Sequence, residues 1–136
     1  MRVLAIDVGE ARIGVAVSDP SGTIAQGVEV IPRRSWAQVL ARLKSHVEAH
    51  HVERVVVGLP LRMDGSEGDA AARARAFAAR LRAALGVPVD LQDERLSTAE
   101  AERTMIAGEA SRAERRQRRD AVAAALFLQT YLDRRR

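Results

Sequence analysis

The chain has no cysteine. That excludes disulfides, thiolate nucleophiles and zinc–thiolate centres. Aromatic residues make up only 3%, too few for a platform on which a row of nucleic-acid bases could stack. Of these few, Trp36 and Phe77 are expected in the core. No apolar run approaches the ~20 residues of a membrane-spanning helix. No signal-peptide pattern precedes the first strand-like run. The expectation is a cytoplasmic protein with no membrane partner. Lysine is nearly missing as well, Lys44 being the single example. The positive charge is therefore carried by arginine, whose planar fork makes the bidentate phosphate contacts that an ammonium cannot.

What is present is an ordinary globular balance, 47% hydrophobic and 29% charged over 136 residues. This predicts one domain spanning 1–136, large enough to bury a real core. The formal net charge is +4, and its distribution matters more than its size. Residues 111–136 hold eight arginines against Glu114, Asp120 and Asp133, a surplus of five, so the remainder of the chain is slightly acidic. Arg112, Arg115, Arg116, Arg118 and Arg119 fall within eight residues. Such a cluster points to a polyanionic partner, recognised by backbone charge and shape and not by base edges.

Hydrophobic periodicity predicts the element order β-β-β-α-β-α-β-α-α. Strands are expected over 2–8, 14–19 and 28–31, the third ended by Pro32. Short links between them suggest an antiparallel meander. Ser35 is placed to cap a helix to about Ala49, with Trp36, Val39, Leu40, Leu43 and Val47 on its buried face. Val55-Val56-Val57-Gly58-Leu59 is continuously apolar, as a central parallel strand should be. A helix over 69–85 is stopped by Gly86, and a strand follows over 87–94. Ser97 with Glu100 forms a capping box for a helix ending at Gly108. Arginine repulsion opposes a regular helix over 109–117, which is expected to be mobile. A last helix over 118–133 would bury Ala121, Ala124, Ala125, Leu128 and Leu132. A meander followed by helix-separated strands predicts an α/β fold: a five-stranded mixed sheet, antiparallel then parallel, flanked by helices.

Three acids sit at element ends where the local pattern is apolar. Asp7 closes Val3-Leu4-Ala5-Ile6, Glu94 ends the strand from Val87, and Asp120 opens the final helix. Carboxylates in such surroundings are usually paired or hold a cation. Brought together, they would form an oxygen-donor site for a hard divalent metal. Asp93 and Glu94 are adjacent and point to opposite faces, so only one of them can face Asp7; alternation leaves both possible. Asp19 and Asp64 read as turn residues. His46, His50 and His51 read as surface residues.

Four segments carry a family resemblance. Ala5-Ile6-Asp7-Val8-Gly9 with Arg12–Asp19 is similar to the opening of the YqgF/RuvX family of Holliday-junction-resolvase-like nucleases. Gly58-Leu59-Pro60-Leu61 with Met63–Ser66, Asp93–Thr98, and Asp120 with Ala123-Ala124 and Leu128–Leu132 resemble its later motifs. The likeness covers nearly the whole chain in order; Ala11 departs from it, where a lysine is common. It implies a ribonuclease H-like fold and a magnesium- or manganese-dependent endonuclease with two ions per site. It further implies Asp7, Glu94 and Asp120 as metal ligands and catalytic residues. Two substrates follow from the resemblance, branched DNA junctions and the precursor of small-subunit ribosomal RNA. Junction cutting on both strands would favour a homodimer. Arg62 and Arg95 flank the second and third motifs and are expected, with the 112–119 cluster, to bind phosphates. Two other readings are a non-catalytic nucleic-acid-binding factor in ribosome assembly and an actin-like ATPase. The latter needs two such domains and a second phosphate loop, which this length does not hold.

Overall fold

The computed structural model describes residues 1–94 and 119–135, with the side chains of the second segment from Ala121 onward. The predicted 97–108 helix, the 109–117 segment, and Arg95, Arg112, Arg115, Arg116 and Arg118 lie outside the described residues. Eight elements follow in order: β1 (Val3–Val8), β2 (Arg12–Ser18), β3 (Ala25–Pro32), α1 (Trp36–Ala49), β4 (Arg54–Leu59), α2 (Asp69–Ala84), β5 (Val89–Asp93) and α3 (Arg119–Arg134). The strands form one sheet in the order β3-β2-β1-β4-β5. β1 pairs antiparallel with β2 and parallel with β4, and β4 pairs parallel with β5. The expected mixed sheet is thus present.

The sheet has two covered faces, which explains why β1 and β4 are apolar without alternation. Leu4, Ile6, Val8, Val55 and Val57 face α1 and α2, where Val39, Leu43, Phe77 and Leu81 are buried. Val3, Ala5, Ala16 and Val56 face α3 and pack on Ala124, Ala125, Phe127 and Leu128. The expected inward residues of α3 are buried, joined by Phe127 and Tyr131. Ser35 caps α1 as expected, its side chain accepting from the Gln38 N–H at 3.4 Å. Asp19 and Asp64 are turn residues as read: Asp19 Oδ1 accepts from the Thr23 and Ile24 N–H groups, and Asp64 Oδ1 from that of Ser66.

Several expectations need correction. β3 begins at Ala25, not Val28. The sequence conceals this because Gly27 breaks the strand pattern; its lack of a side chain has a tertiary cause. A Cβ there would stand 3.0 Å from both Cβ and O of Ala121, so α3 crosses β3 at this point. Pro32 does end β3, but as its last residue and not the one after it, tolerated because the strand is an edge. α2 ends at Ala84 with Leu85 in extended backbone, and Gly86 does not take a left-handed φ. His46 is not a bare surface group, since its Nε2 contacts Glu29, which also pairs with Arg42, and its ring stacks on His50 at 5.7 Å. Trp36 is only half-buried, at the edge of the core.

Gln129 on α3 is buried, and sequence pattern alone does not single it out. Its Oε1 accepts from the Ala25 N–H and its Nε2 donates to the Thr23 carbonyl, both at 2.9 Å. Gln129→Met should therefore leave a buried and a partly buried backbone group without this partner at the start of β3. The expected cost is roughly 2 kcal/mol of stability; urea unfolding with an unchanged midpoint would refute it.

Candidate active site

Asp7 lies near the C-terminal end of β1, where its Cα partner on β2 is Gly14. The faces of β1 alternate, with Leu4, Ile6 and Val8 toward α1 and α2 and Val3 and Ala5 toward α3. By that alternation Asp7 belongs to the α3 face. On β5, Val89 is buried on the α1–α2 side and Leu91 packs against the same cluster. Asp93, two residues further, continues that row and pairs with Leu59. Glu94, one residue on, comes to the α3 side with Asp7.

The carboxyls of Asp7 and Glu94 are hydrogen-bonded to one another. The choice between Asp93 and Glu94 as the residue facing Asp7 thus falls to Glu94. With Ala123, Leu126 and Phe127 of α3 the pair lines a recess of about 220 Å³. Burial pushes the Glu94 carboxyl up, as do its hydrogen bond to Asp7 and the negative charges of Asp7 and Asp93; it is raised to about 9. At neutral pH the pair therefore keeps one proton, because two carboxylates at hydrogen-bond distance in a partly dry site repel.

Gly58 makes this meeting possible, and sequence reasoning assigned it no role beyond its motif. It is the buried penultimate residue of β4, between β1 and β5 in the sheet. A Cβ there would stand 2.6 Å from Glu94 Cδ and 2.8 Å from Cγ. The Glu94 side chain thus lies directly over the Gly58 backbone on its way to Asp7. The available signal was a glycine interrupting Val55-Val56-Val57, since glycine inside a strand often marks a close approach. Gly9 serves the turn beyond Asp7, where its N–H donates to the Arg12 carbonyl at 2.8 Å; a Cβ would sit 2.7 Å from that oxygen.

Asp120 is the second residue of α3, three positions before Ala123, which lines the recess. That spacing is close to one helical turn. Among the described residues, whose side chains do not include that of Asp120, no group of three or more His, Cys, Asp or Glu forms a ready metal cluster. Arg62 is exposed in the loop after β4, with its guanidinium against Gly68, the N-cap of α2. Arg119 opens α3. No helix among the described residues is long and apolar enough to cross a membrane.

With this geometry in hand, comparison with known proteins is specific. The family described as "RuvX: Holliday junction resolvase" matches residues 1–134. A protein of Moorella thermoacetica named "Putative pre-16S rRNA nuclease" is 51% identical over 134 residues, covering 98% of this chain and 96% of that protein. Among solved structures, Thermus thermophilus RuvC in complex with a Holliday junction substrate superposes with a TM-score of 0.62 at 21% identity, over 98% of this chain and 96% of that one. The fowlpox virus Holliday junction resolvase superposes at 0.59 with 10% identity, over 98% and 99%. At such low identity the two structures share the fold with this chain, a ribonuclease H-like sheet.

Proposed function

Since the chain belongs to the RuvX family of Holliday junction resolvases and is a nuclease, we propose that it is a divalent-metal-dependent endonuclease cutting structured nucleic acid at the Asp7–Glu94 recess. The observation that carries this reading is a pair of carboxyls, one of them mostly buried, hydrogen-bonded to one another in a recess beneath α3. Such a pair suits a hard cation, which would relieve the repulsion that the proton now relieves. Magnesium or manganese would be held by Asp7, Glu94 and Asp120, with two ions as the working number. When bound, the metal supplies charge neutralisation at the phosphodiester and a more acidic water. The chain's own part is positional: β1 and β5 hold two carboxyls on one face, Gly58 keeps the path between them open, and Leu126 and Phe127 dry one wall.

Of the two substrates, precursor small-subunit ribosomal RNA is the one we carry forward. The support is the name borne by a relative 51% identical across nearly its whole length. Arg62, Arg95, Arg112, Arg115, Arg116, Arg118 and Arg119 are proposed to hold phosphates around the cut. On four-way DNA, two such sites would have to act as a homodimer. The deciding experiment incubates the protein with labelled precursor RNA and with four-way junction DNA, in manganese, magnesium or chelator. Metal-dependent cutting of the RNA supports the reading, and cutting of the junction alone redirects it to DNA. No cutting with any metal would leave a binding factor in ribosome assembly.

The shared proton also predicts how stability depends on pH. An unfolded Glu94 loses its proton near 4.5 and the folded one near 9. Between those values the folded state binds more protons than the unfolded, so metal-free stability falls as pH rises across that window. The stability is full below about 4.5 and this contribution is gone above about 9. A divalent ion competes with the same proton, so the stabilisation it adds should grow across the same range. Melting temperatures from pH 4.5 to 9, in chelator and in magnesium, check both slopes; Glu94→Gln should flatten both. A wild-type melting curve indifferent to pH and metal would sink this account.

A further inference from the structure

A second recess, of about 280 Å³, opens where α1 begins beside α2, on the sheet face opposite the acid pair. Its floor includes buried Ile13, and its rim carries Arg33, Arg34, Arg73 and Arg80 around half-buried Trp36. Four guanidiniums round one cavity repel unless an anion joins them. Their described partners are mostly neutral. Arg33 donates to the Gly9 carbonyl at 3.1 Å, and Arg80 lies 3.9 Å over the Trp36 ring. Arg73 reaches Glu10 only at 3.7 Å, and that carboxylate is 88% exposed, so the pairing offsets little charge. The first turn of α1 has no acidic residue, which leaves the positive end of that helix uncompensated as well.

The recess is joined to the acid pair through the β1–β2 turn. Ile13 pairs with Val8, the residue after Asp7. Gly9 lies two residues past Asp7 and is bonded to Arg33, while the Arg33 N–H donates to the Ala11 carbonyl at 2.9 Å. The carboxyl pair and the arginine recess therefore stand on either side of one end of β1. Resting on the nuclease reading above, we propose that this recess is a second phosphate site, which takes backbone phosphates of the bound nucleic acid as it bends round the β1–β2 turn. Arginine forks grip the phosphate oxygens. Arg80 covers a face of Trp36, so the site reads backbone and not base.

Trp36 is the single tryptophan, so its emission reports the recess directly. In chelator, where nothing is cut, a short RNA or DNA duplex should change Trp36 emission on binding. Arg33→Gln/Arg34→Gln, both exposed and clear of the Arg80–Trp36 stack, should make the slope of log affinity against log salt shallower by roughly 2, about 0.9 for each phosphate no longer neutralised. Unchanged melting temperature confirms that the double variant is folded. A wild-type slope in that folded variant, or silent Trp36 emission at saturating duplex, overturns the proposal. So does a Trp36 response to a mononucleotide or inorganic phosphate that duplex does not displace, which would make the ligand a free phosphate compound. The outcome is separable from the cleavage reading. If Asp7→Asn abolishes cutting while the double variant keeps its slope, only the second site falls. If Asp7→Asn still cuts, the assignment of the acid pair falls and the binding result stands.

Discussion

Asp7→Asn and Glu94→Gln should each lower cleavage by at least about three orders of magnitude, a barrier increase of roughly 4 kcal/mol, while leaving the fold intact. Asp7 and Glu94 share one hydrogen bond, and an amide can replace either partner in it. What an amide cannot supply is the negative charge that draws a dication. Glu94→Gln also removes the buried carboxyl that must keep a proton in the folded state. Metal-free Glu94→Gln should therefore melt a few degrees above wild type near pH 8, where folding of the native chain must restore to Glu94 a proton that the unfolded chain has released. Such a gain in stability with a loss of function is the usual mark of a site held together against its own repulsion. Single-turnover cleavage in manganese, measured beside thermal melts in chelator, tests both halves. Wild-type cutting rates in both variants would show that the chemistry lies elsewhere. A Glu94→Gln protein that melts well below wild type would show that the pair is structural.

Gly58→Ala should be nearly as damaging to cleavage although it adds one methyl group and alters no charge. The new Cβ would overlap the Glu94 side chain, 2.6 Å from Cδ and 2.8 Å from Cγ. The side chain has rotatable bonds beyond its Cβ and can swing aside, so the fold should survive with a modest change in melting temperature. Glu94 then no longer meets Asp7. A displacement of about 1 Å at a reacting centre can cost roughly 10²-fold, and this one is larger, so a loss of two to three orders of magnitude is expected. The pH dependence of metal-free stability should weaken in parallel, because Glu94 leaves the partner that holds its proton. Full activity in a folded Gly58→Ala protein would mean that Glu94 does not need the path over Gly58. Retained pH dependence with lost activity would mean that the methyl group acts on something other than the pair.

Much of the fold was legible because hydrophobic period and turn chemistry are local. The Ser35 cap, the Val55–Leu59 core strand and the inward row of α3 each depend on neighbours within a few residues. The failures share a different cause. The start of β3 is held by Gln129 and crossed by Ala121, both about a hundred residues away. Trp36 looked like core because it continues the buried face of α1, but that face runs out at the helix start, where the arginines of α2 and of the loop after β3 gather. Neither fact has a local signature. In the site, Asp7 and Glu94 were singled out by carboxylates standing where apolar residues belong. Gly58 was passed over because its reason is a side chain on the neighbouring strand.

By itself, the sequence determined the order of the described elements, the mixed sheet, the family, and the acids and arginines from which a site could be built. Strand alternation left open which of Asp93 and Glu94 belongs with Asp7, and only the family motif favoured Glu94. Strands buried on both faces carry no alternation in residue type, so a side chain's face cannot be read from β1 or β4 alone. That is decided by pairing register. β5 beside β4 puts Asp93 with Leu59, so Glu94 falls on the other side and crosses Gly58 to reach Asp7. Burial beneath α3 and the charge of its neighbours then hold a proton on Glu94, a property of the assembled site that neither residue has alone.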